Sequence, residues 1–193
     1  RDVLGSRGLG DVYKRQCMWG CSNIGVDKDG NSYWTPTSQV VNVLDRIKVG
    51  DILIKNKLIL SPTSWFGHAA VVVTPNIVGE YPMIGKGFVL NYLEDWLSED
   101  RDIIVLRYRY FTDSFQRRFL KNVLKYSNRE YQITFDKYNS EKFYCSQYVW
   151  FLYYKTAKEQ KDPHFDYDFK KNDFFILPYD LLELPQFEII DLK

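Results

Sequence analysis

Charge imbalance and long apolar runs are both missing from this chain. Across 193 residues, Lys and Arg total 26 and Asp and Glu total 25, which leaves a formal net charge of +1. With that balance and no cluster of Lys and Arg, the sequence offers no electrostatic basis for binding nucleic acid. No apolar run approaches the roughly 18 residues that a membrane-spanning helix requires, so we expect no integral membrane segment.

Side chains that bind transition metals are also scarce, with two His and three Cys in the whole chain. Cys17 and Cys21 are close in sequence but need two further ligands to hold zinc. The other candidates are His68, His164 and Cys145, so the sequence predicts neither a metal nor a cofactor. We expect Cys17 and Cys21 to be reduced or loosely bridged, and an odd cysteine count does not decide the redox compartment.

The chain is long enough for one domain with a substantial core, and aromatic residues make up 17% of it. Residues 1–16 begin without Met, have no apolar periodicity and hold three Gly in six positions. They resemble a translated sequencing adapter, so we exclude them from the fold as a non-native segment. On this interpretation the native start and any signal peptide are missing, residues 17–36 form an N-terminal extension, and residues 37–193 form the domain.

The most informative stretch begins at Cys145. A polar loop, residues 136–142, precedes it, and the residues that follow are apolar or aromatic on nearly every side, which is typical of a buried helix. Cys145 would lie in the first turn, where unpaired backbone N–H groups and the helix dipole favour a thiolate. A helix N-terminus lowers the pKa of a thiol and makes it nucleophilic. The alternative is a buried cysteine that acts as a small hydrophobe.

A second stretch, Gly67 to Val73, supplies a base. Its β-branched composition predicts an interior strand, on which His68 shares a face with Ala70 and Val72. The small Ala70 side chain would leave room beside the imidazole for a helix that carries Cys145. A lone histidine on a strand is more often a hydrogen-bonded core residue, but its pairing with a cysteine at a helix start favours catalysis.

Glu80 follows on the next predicted strand. If the chain turns with Thr74 at the centre, paired residue numbers sum to 148, and His68 lies directly opposite Glu80. The carboxylate would then hold the far nitrogen of the imidazole, which is the orienting role in a catalytic triad. A two-residue turn would place Glu80 on the wrong face, and an ordinary solvated carboxylate is the alternative.

Four motifs in this order resemble the permuted papain-like amidases, the YiiX/YycO-like relatives of the NlpC-type cell-wall peptidases. The motifs are Gly-Asp-Ile-Leu-Ile (50–54), Gly-His-Ala-Ala-Val-Val-Val (67–73), Gly-Glu-Tyr-Pro (79–82) and Tyr-Cys-Ser-Gln-Tyr-Val-Trp (144–150). The resemblance implies Cys145 as nucleophile, His68 as base, Glu80 as orienting residue and Tyr131 as a hydroxyl near the oxyanion. Many relatives have Ser before the histidine, where this chain has Gly67.

The resulting expectation is an α+β domain in which a mostly antiparallel sheet or half-barrel packs against helices. The resemblance implies a cysteine hydrolase of amide bonds that acts on a peptide, muropeptide or acyl-amide substrate in a bacterial cell envelope. Trp65, Phe66 and Ser146 are candidates for substrate contact. A lipid-directed acyltransferase or thioesterase on the same fold and a non-catalytic binding module remain alternatives, and the sequence does not decide the oligomeric state.

Overall fold

The computed structural model describes residues 25–26, 29–57, 66–169 and 174–193. Its strands are β1 (Thr35–Pro36), β2 (Ile52–Lys55), β3 (His68–Thr74), β4 (Ile77–Glu80), β5 (Val89–Tyr92), β6 (Asp102–Tyr108), β7 (Glu130–Tyr131), β8 (Lys142–Phe143) and β9 (Phe187–Ile190). Its α-helices are α1 (Thr37–Val40), α2 (Leu93–Leu97), α3 (Asp113–Tyr126) and α4 (Cys145–Gln160), and short 3-10 helices cover Leu44–Arg46 and Pro178–Glu183.

One antiparallel sheet organises the described residues. Its strands follow the order β1-β6-β2-β3-β4-β5, and β9 also pairs with β6. The short strands β7 and β8 pair in parallel just before α4, separately from this sheet. The predicted α+β class, with an antiparallel sheet packed against helices, is therefore confirmed.

Each face of the sheet has its own core because strand side chains alternate. On one face, Ala69 and Val71 of β3 pack with the aromatic residues of α3 and α4, including Trp150. On the other face, Ala70 and Val72 pack with α1 and α2. The long helix α4 is buried on almost all sides, as its sequence predicts, and it lies on the Ala69 face.

The β3–β4 hairpin does not have the predicted register, yet Glu80 still lies on the same face of the sheet as His68. The turn is the two-residue Pro75–Asn76, and Val72 pairs with Val78, so the numbers sum to 150. A β-bulge between Val72 and Thr74 adds one residue to β3. Because a bulge shifts the alternation by one position, it returns Glu80 to the face of His68 despite the two-residue turn. The predicted direct pairing of His68 with Glu80 is wrong.

Candidate active site

Cys145 is the first residue of α4, as the sequence predicts. Tyr144 before it is extended, and no acidic residue lies in the first turn of the helix, so nothing there opposes a negative charge. The neighbours of Cys145 hold one backbone segment. The amide of Ile176 donates to the Tyr144 hydroxyl at 3.0 Å, and the Ser146 hydroxyl donates to the Ile176 carbonyl at 2.6 Å. The Ser146 side chain thus anchors the cleft wall.

His68 opens β3 directly after Gly67, whose φ of +76° lies in the left-handed region. A Cβ at Gly67 would come within 2.8 Å of the Lys55 carbonyl oxygen, so a side chain there would strain the approach to His68. This geometry explains why a glycine fits at this position of the chain. It also fixes the backbone just ahead of the imidazole.

The structure brings His68, Glu80 and Cys145 together. Nε2 of His68 makes a short hydrogen bond with Oε2 of Glu80, and the Cys145 thiol is close enough to the same imidazole for the two groups to shift each other's pKa. The packing around this contact differs from the prediction. Since α4 lies on the Ala69 face, the space beside Ala70 is filled by α2, and His68 reaches Cys145 from the end of its strand.

Electrostatics favour a charged cysteine and histidine pair. Burial acts to raise the pKa of the Cys145 thiol, but the charge of His68, its hydrogen bond and the Ala69 backbone N–H lower it below its ordinary value. Burial acts to lower the pKa of His68, yet the facing Cys145 thiolate and the Glu80 carboxylate raise it to about 9. Both directions favour the pair in which a thiolate faces an imidazolium.

Glu80 is held by residues that the sequence interpretation missed. Its Oε1 accepts a hydrogen bond from the Asn91 amide at 2.7 Å, and its Oε2 accepts one from the Trp96 indole at 2.8 Å. Burial would raise the pKa of Glu80, but His68, Trp96 and the charge of Lys55 lower it. The available signal was Asn91 itself, a polar residue on the inward-facing side of a short strand.

A cleft of about 700 Å³ opens over the three residues. Its apolar lining, the apolar wall, is formed by Phe66, Met83, Ile84, Ile133, Phe175 and Leu177. Its charged lining is formed by Lys55, Asp95, Glu99 and Arg101, and the ion pairs of Glu99 with Lys55 and Arg101 hold three of these residues together as the charged end. The cleft over the nucleophile thus has both apolar and charged lining.

The remaining sequence candidates fall at different places. Tyr131 lines the cleft, and burial together with the nearby Cys145 charge raises the pKa of its phenol, so it stays a neutral hydroxyl. Phe66 lines the cleft and is 41% exposed. Trp65 lies outside the described residues, as do Cys17 and Cys21.

The structure resembles the crystal structure of the metalloprotein yiiX from Escherichia coli O157:H7. The match has a TM-score of 0.55 and 15% sequence identity, and it covers 75% of this chain and 97% of that chain. None of the curated proteins compared with the chain matches it. At this identity the likeness to yiiX is a likeness of fold.

The part of the chain that the structure describes contains no recognisable metal-binding cluster. No group of three or more His, Cys, Asp or Glu side chains there is arranged to hold a metal ion. The residues around Cys145 therefore do not fit a metal, and we derive no step through one. None of the described helices has both the length and the apolar composition needed to cross a membrane.

Residues 46–175, which include the cysteine, histidine and glutamate of the cleft, match the family described as permuted papain-like amidase enzymes, YaeF/YiiX, C92 family. The match spans more than half of the chain and has the order that sets this family apart, with the histidine first and the cysteine last. The chain therefore belongs to the permuted papain-like amidases of the YaeF/YiiX, C92 family.

Proposed function

We propose that the protein is a cysteine hydrolase that cleaves amide bonds with Cys145 as nucleophile, His68 as general acid and base, and Glu80 as orienting residue. The observation that carries the proposal is the contact of all three side chains at the N-terminus of α4. Papain-like amidase chemistry requires a thiolate beside an imidazolium, and the pKa directions of Cys145 and His68 favour that pair.

In the first step the Cys145 thiolate attacks the carbonyl carbon, forming a C–S bond while the electron pair of the C=O bond moves to oxygen. The Tyr131 hydroxyl and the backbone N–H of Cys145 stabilise this oxyanion. His68 then gives its proton to the nitrogen as the C–N bond breaks, and the amine leaves. Water, deprotonated by His68, attacks the thioester and releases the acid and the thiolate.

For the substrate we propose cell-wall peptides, because the family resembles the NlpC-type cell-wall peptidases. This choice carries with it the proposal that the protein acts in a bacterial cell envelope. The charged end of the cleft, with Lys55, Glu99 and Arg101, supports a substrate that carries polar or charged groups, as peptides do.

Alkylation with iodoacetamide at about pH 6 tests the nucleophile. Only a thiol with a depressed pKa keeps much thiolate at that pH, so Cys145 should label fast while Cys17 and Cys21, expected to be ordinary thiols, label slowly. Peptide mass analysis assigns the sites, and purified muropeptides then test the substrate. If Cys145 labels only after denaturation, the thiol is inert and the protein is a binding module that merely retains these residues.

A second candidate, a lipid-directed acyltransferase or thioesterase, is favoured by the apolar wall of the cleft. Ile84 is 77% exposed and Met83 is 50% exposed at its mouth, and together with Ile133 they offer a surface for an acyl chain. In this reaction the same thiolate takes the acyl group from an ester, with an alcohol as the leaving group. The resulting thioester passes the group to an amine or to water.

Rates on p-nitrophenyl esters of increasing chain length separate the two candidates. If an acyl chain binds the wall, kcat/KM rises with chain length, and Ile84→Ser lowers it for long chains alone. Leu124→Ser is the matched control, since Leu124 is 73% exposed on α3 and does not line the cleft. Turnover of muropeptides with no dependence on ester chain length favours the amidase instead.

A further inference from the structure

The carboxylate of Glu80 accepts hydrogen bonds from three elements of the fold. His68 of β3 and Trp96 of α2 both bond Oε2, and Asn91 of β5 bonds Oε1. Glu80 itself is 5% exposed. A buried carboxylate without donors would take up a proton or change rotamer, and neither state can orient an imidazolium.

Lys55 in turn holds the Trp96 side chain in place. Nζ of Lys55 lies 3.9 Å from the centre of the indole ring and donates to the Trp96 backbone carbonyl at 2.6 Å. The same ammonium donates to Glu99 at 2.8 Å. Lys55 thus fixes Trp96 through both its ring and its backbone, and its charge acts on Glu80.

We propose that Trp96 and Asn91 are positioning residues of the catalytic machinery, which keep the Glu80 carboxylate ionised and directed at Nε2 of His68. The inference rests on the proposed triad. Neither residue contacts Cys145 among the described hydrogen bonds, so both act through Glu80. Trp96 has the larger role because its indole shares Oε2 with the imidazole.

The charged groups that face Glu80 determine whether the loss of a hydrogen-bond donor raises or lowers its pKa. His68 and Lys55 are positive and lower the pKa of Glu80. Glu99, at the same end of the cleft, is paired with Lys55 and Arg101, which neutralise most of its effect. Trp96 and Asn91 are neutral donors whose hydrogen bonds stabilise the ionised carboxylate. When one of them is removed, burial favours the protonated form more strongly, and the pKa of Glu80 rises.

Carbon-13 NMR of carboxyl-labelled glutamate measures the pKa of Glu80 directly. The Glu80 signal is assigned by its loss in Glu80→Gln. Trp96→Phe keeps an aromatic, though smaller, side chain and removes the N–H, and Asn91→Leu removes the amide at similar volume. Both variants should raise the pKa of Glu80, and Asn91→Asp should raise it further by placing a like charge beside it. Melting temperatures establish that each variant is folded.

Trp150→Phe is the matched control. Its indole N–H is buried without a hydrogen-bond partner among the described residues, so its removal should leave the pKa of Glu80 unchanged. Hydrolysis of p-nitrophenyl acetate provides the functional readout. Because loss of a hydrogen bond to a charged group raises a carboxyl pKa by about one unit, Trp96→Phe should lose up to roughly threefold in rate at pH 5 and little at pH 8.

A double-mutant cycle completes the test. If Trp96 acts through Glu80, then Trp96→Phe causes little further loss of rate in the Glu80→Gln background. An unchanged Glu80 titration in Trp96→Phe and Asn91→Leu would overturn the inference, as would fully additive losses of rate. An unreactive Cys145 in the unsubstituted protein would overturn the proposed function instead, and the glutamate titration is read without turnover, so the two failures are distinguishable.

Discussion

Two buried carboxylates, at two places on the same sheet, look alike at first. Glu80 is 5% exposed and Asp51 is 1% exposed, and each is bonded to a basic side chain. Each also lies at a cleft of similar size, about 700 Å³ over Glu80 and about 660 Å³ beside Asp51. Burial, charge pairing and cavity volume therefore do not separate the candidate active site from a structural ion pair here.

The partners of the two carboxylates do separate them. Asp51 accepts two hydrogen bonds from the Arg107 guanidinium, at 2.8 and 2.7 Å, and one from the Lys48 backbone N–H at 2.8 Å. Burial dominates there and raises the pKa of Asp51. No cysteine or histidine is among the described residues that line that cleft. The Asp51 pair ties β6 to the turn before β2.

Glu80 instead bonds a side chain that can lose its proton, and that side chain contacts a thiol at a helix start. An arginine is always charged and can only hold its partner, whereas an imidazole can transfer a proton. The helix N-terminus with Cys145, and not the buried carboxylate, therefore distinguishes the candidate active site. Five substitutions or titrations test this difference.

The largest effect is expected for Cys145→Ser. We expect turnover of any substrate found in the screen to fall by at least roughly 10³-fold, because a hydroxyl has no depressed pKa to make it a nucleophile here. The free energy of unfolding should change by less than about 1 kcal/mol, since the volume change is small and serine is well tolerated at a helix start. Turnover and thermal melting measure the two effects, and substantial residual turnover would contradict the assignment.

Arg107→Met, which removes the partner of Asp51, should lower the stability of the fold and leave the reactivity of Cys145 unchanged. It leaves Asp51 buried and unpaired, which destabilises the fold by about 3 kcal/mol. Cys145 labelling in the folded protein should not change. Arg109→Met is the matched control, because the exposed Arg109–Glu188 pair is worth no more than about 1 kcal/mol. Urea melts measure both, and slower Cys145 labelling in Arg107→Met would show that the two sites are coupled.

His68→Ala should slow alkylation of Cys145 at about pH 6 by at least roughly tenfold. Without the imidazolium, burial raises the pKa of the thiol, and little thiolate remains at that pH. His164→Ala provides the control, since His164 stacks on Tyr110 at a ring distance of 3.8 Å and does not line the cleft over Cys145. Equal labelling of both variants would mean that the helix alone activates Cys145.

The pH dependence should separate turnover from alkylation. His68 has a pKa of about 9, so it is protonated below that pH and loses its proton as the pH rises through it. Amide turnover should then fall, because the leaving amine receives no proton, while alkylation continues because the thiolate persists. Parallel pH profiles of the two rates measure this, and turnover that is flat through pH 9 would rule out His68 as the proton donor.

Glu80→Gln should have the smallest of these effects on rate. The amide can still bond Nε2 of His68, but it does not stabilise the imidazolium. We expect a loss of roughly tenfold, well short of the roughly 10²–10⁴-fold contribution of a general base. Steady-state rates across pH measure it, and a variant that matches the unsubstituted protein throughout would make Glu80 a bystander.

Local sequence predicts the α+β class, the helix that starts at Cys145 and the residues expected to meet there. These are local properties. The apolar stretch after Cys145 requires a buried helix, and the β-branched run after His68 requires a strand, whatever the rest of the chain does. The order of the motifs added the family.

The way in which the three side chains meet depends on tertiary packing. The bulge in β3 places Glu80 on the face of His68, and no residue of the hairpin predicts that bulge. The helix α4 packs on the opposite face of the sheet from the one expected. Trp96 and Asn91 reach Glu80 from elements whose positions depend on the whole sheet. Register and long-range side-chain contacts are set by how all elements pack together, and local sequence does not contain that information.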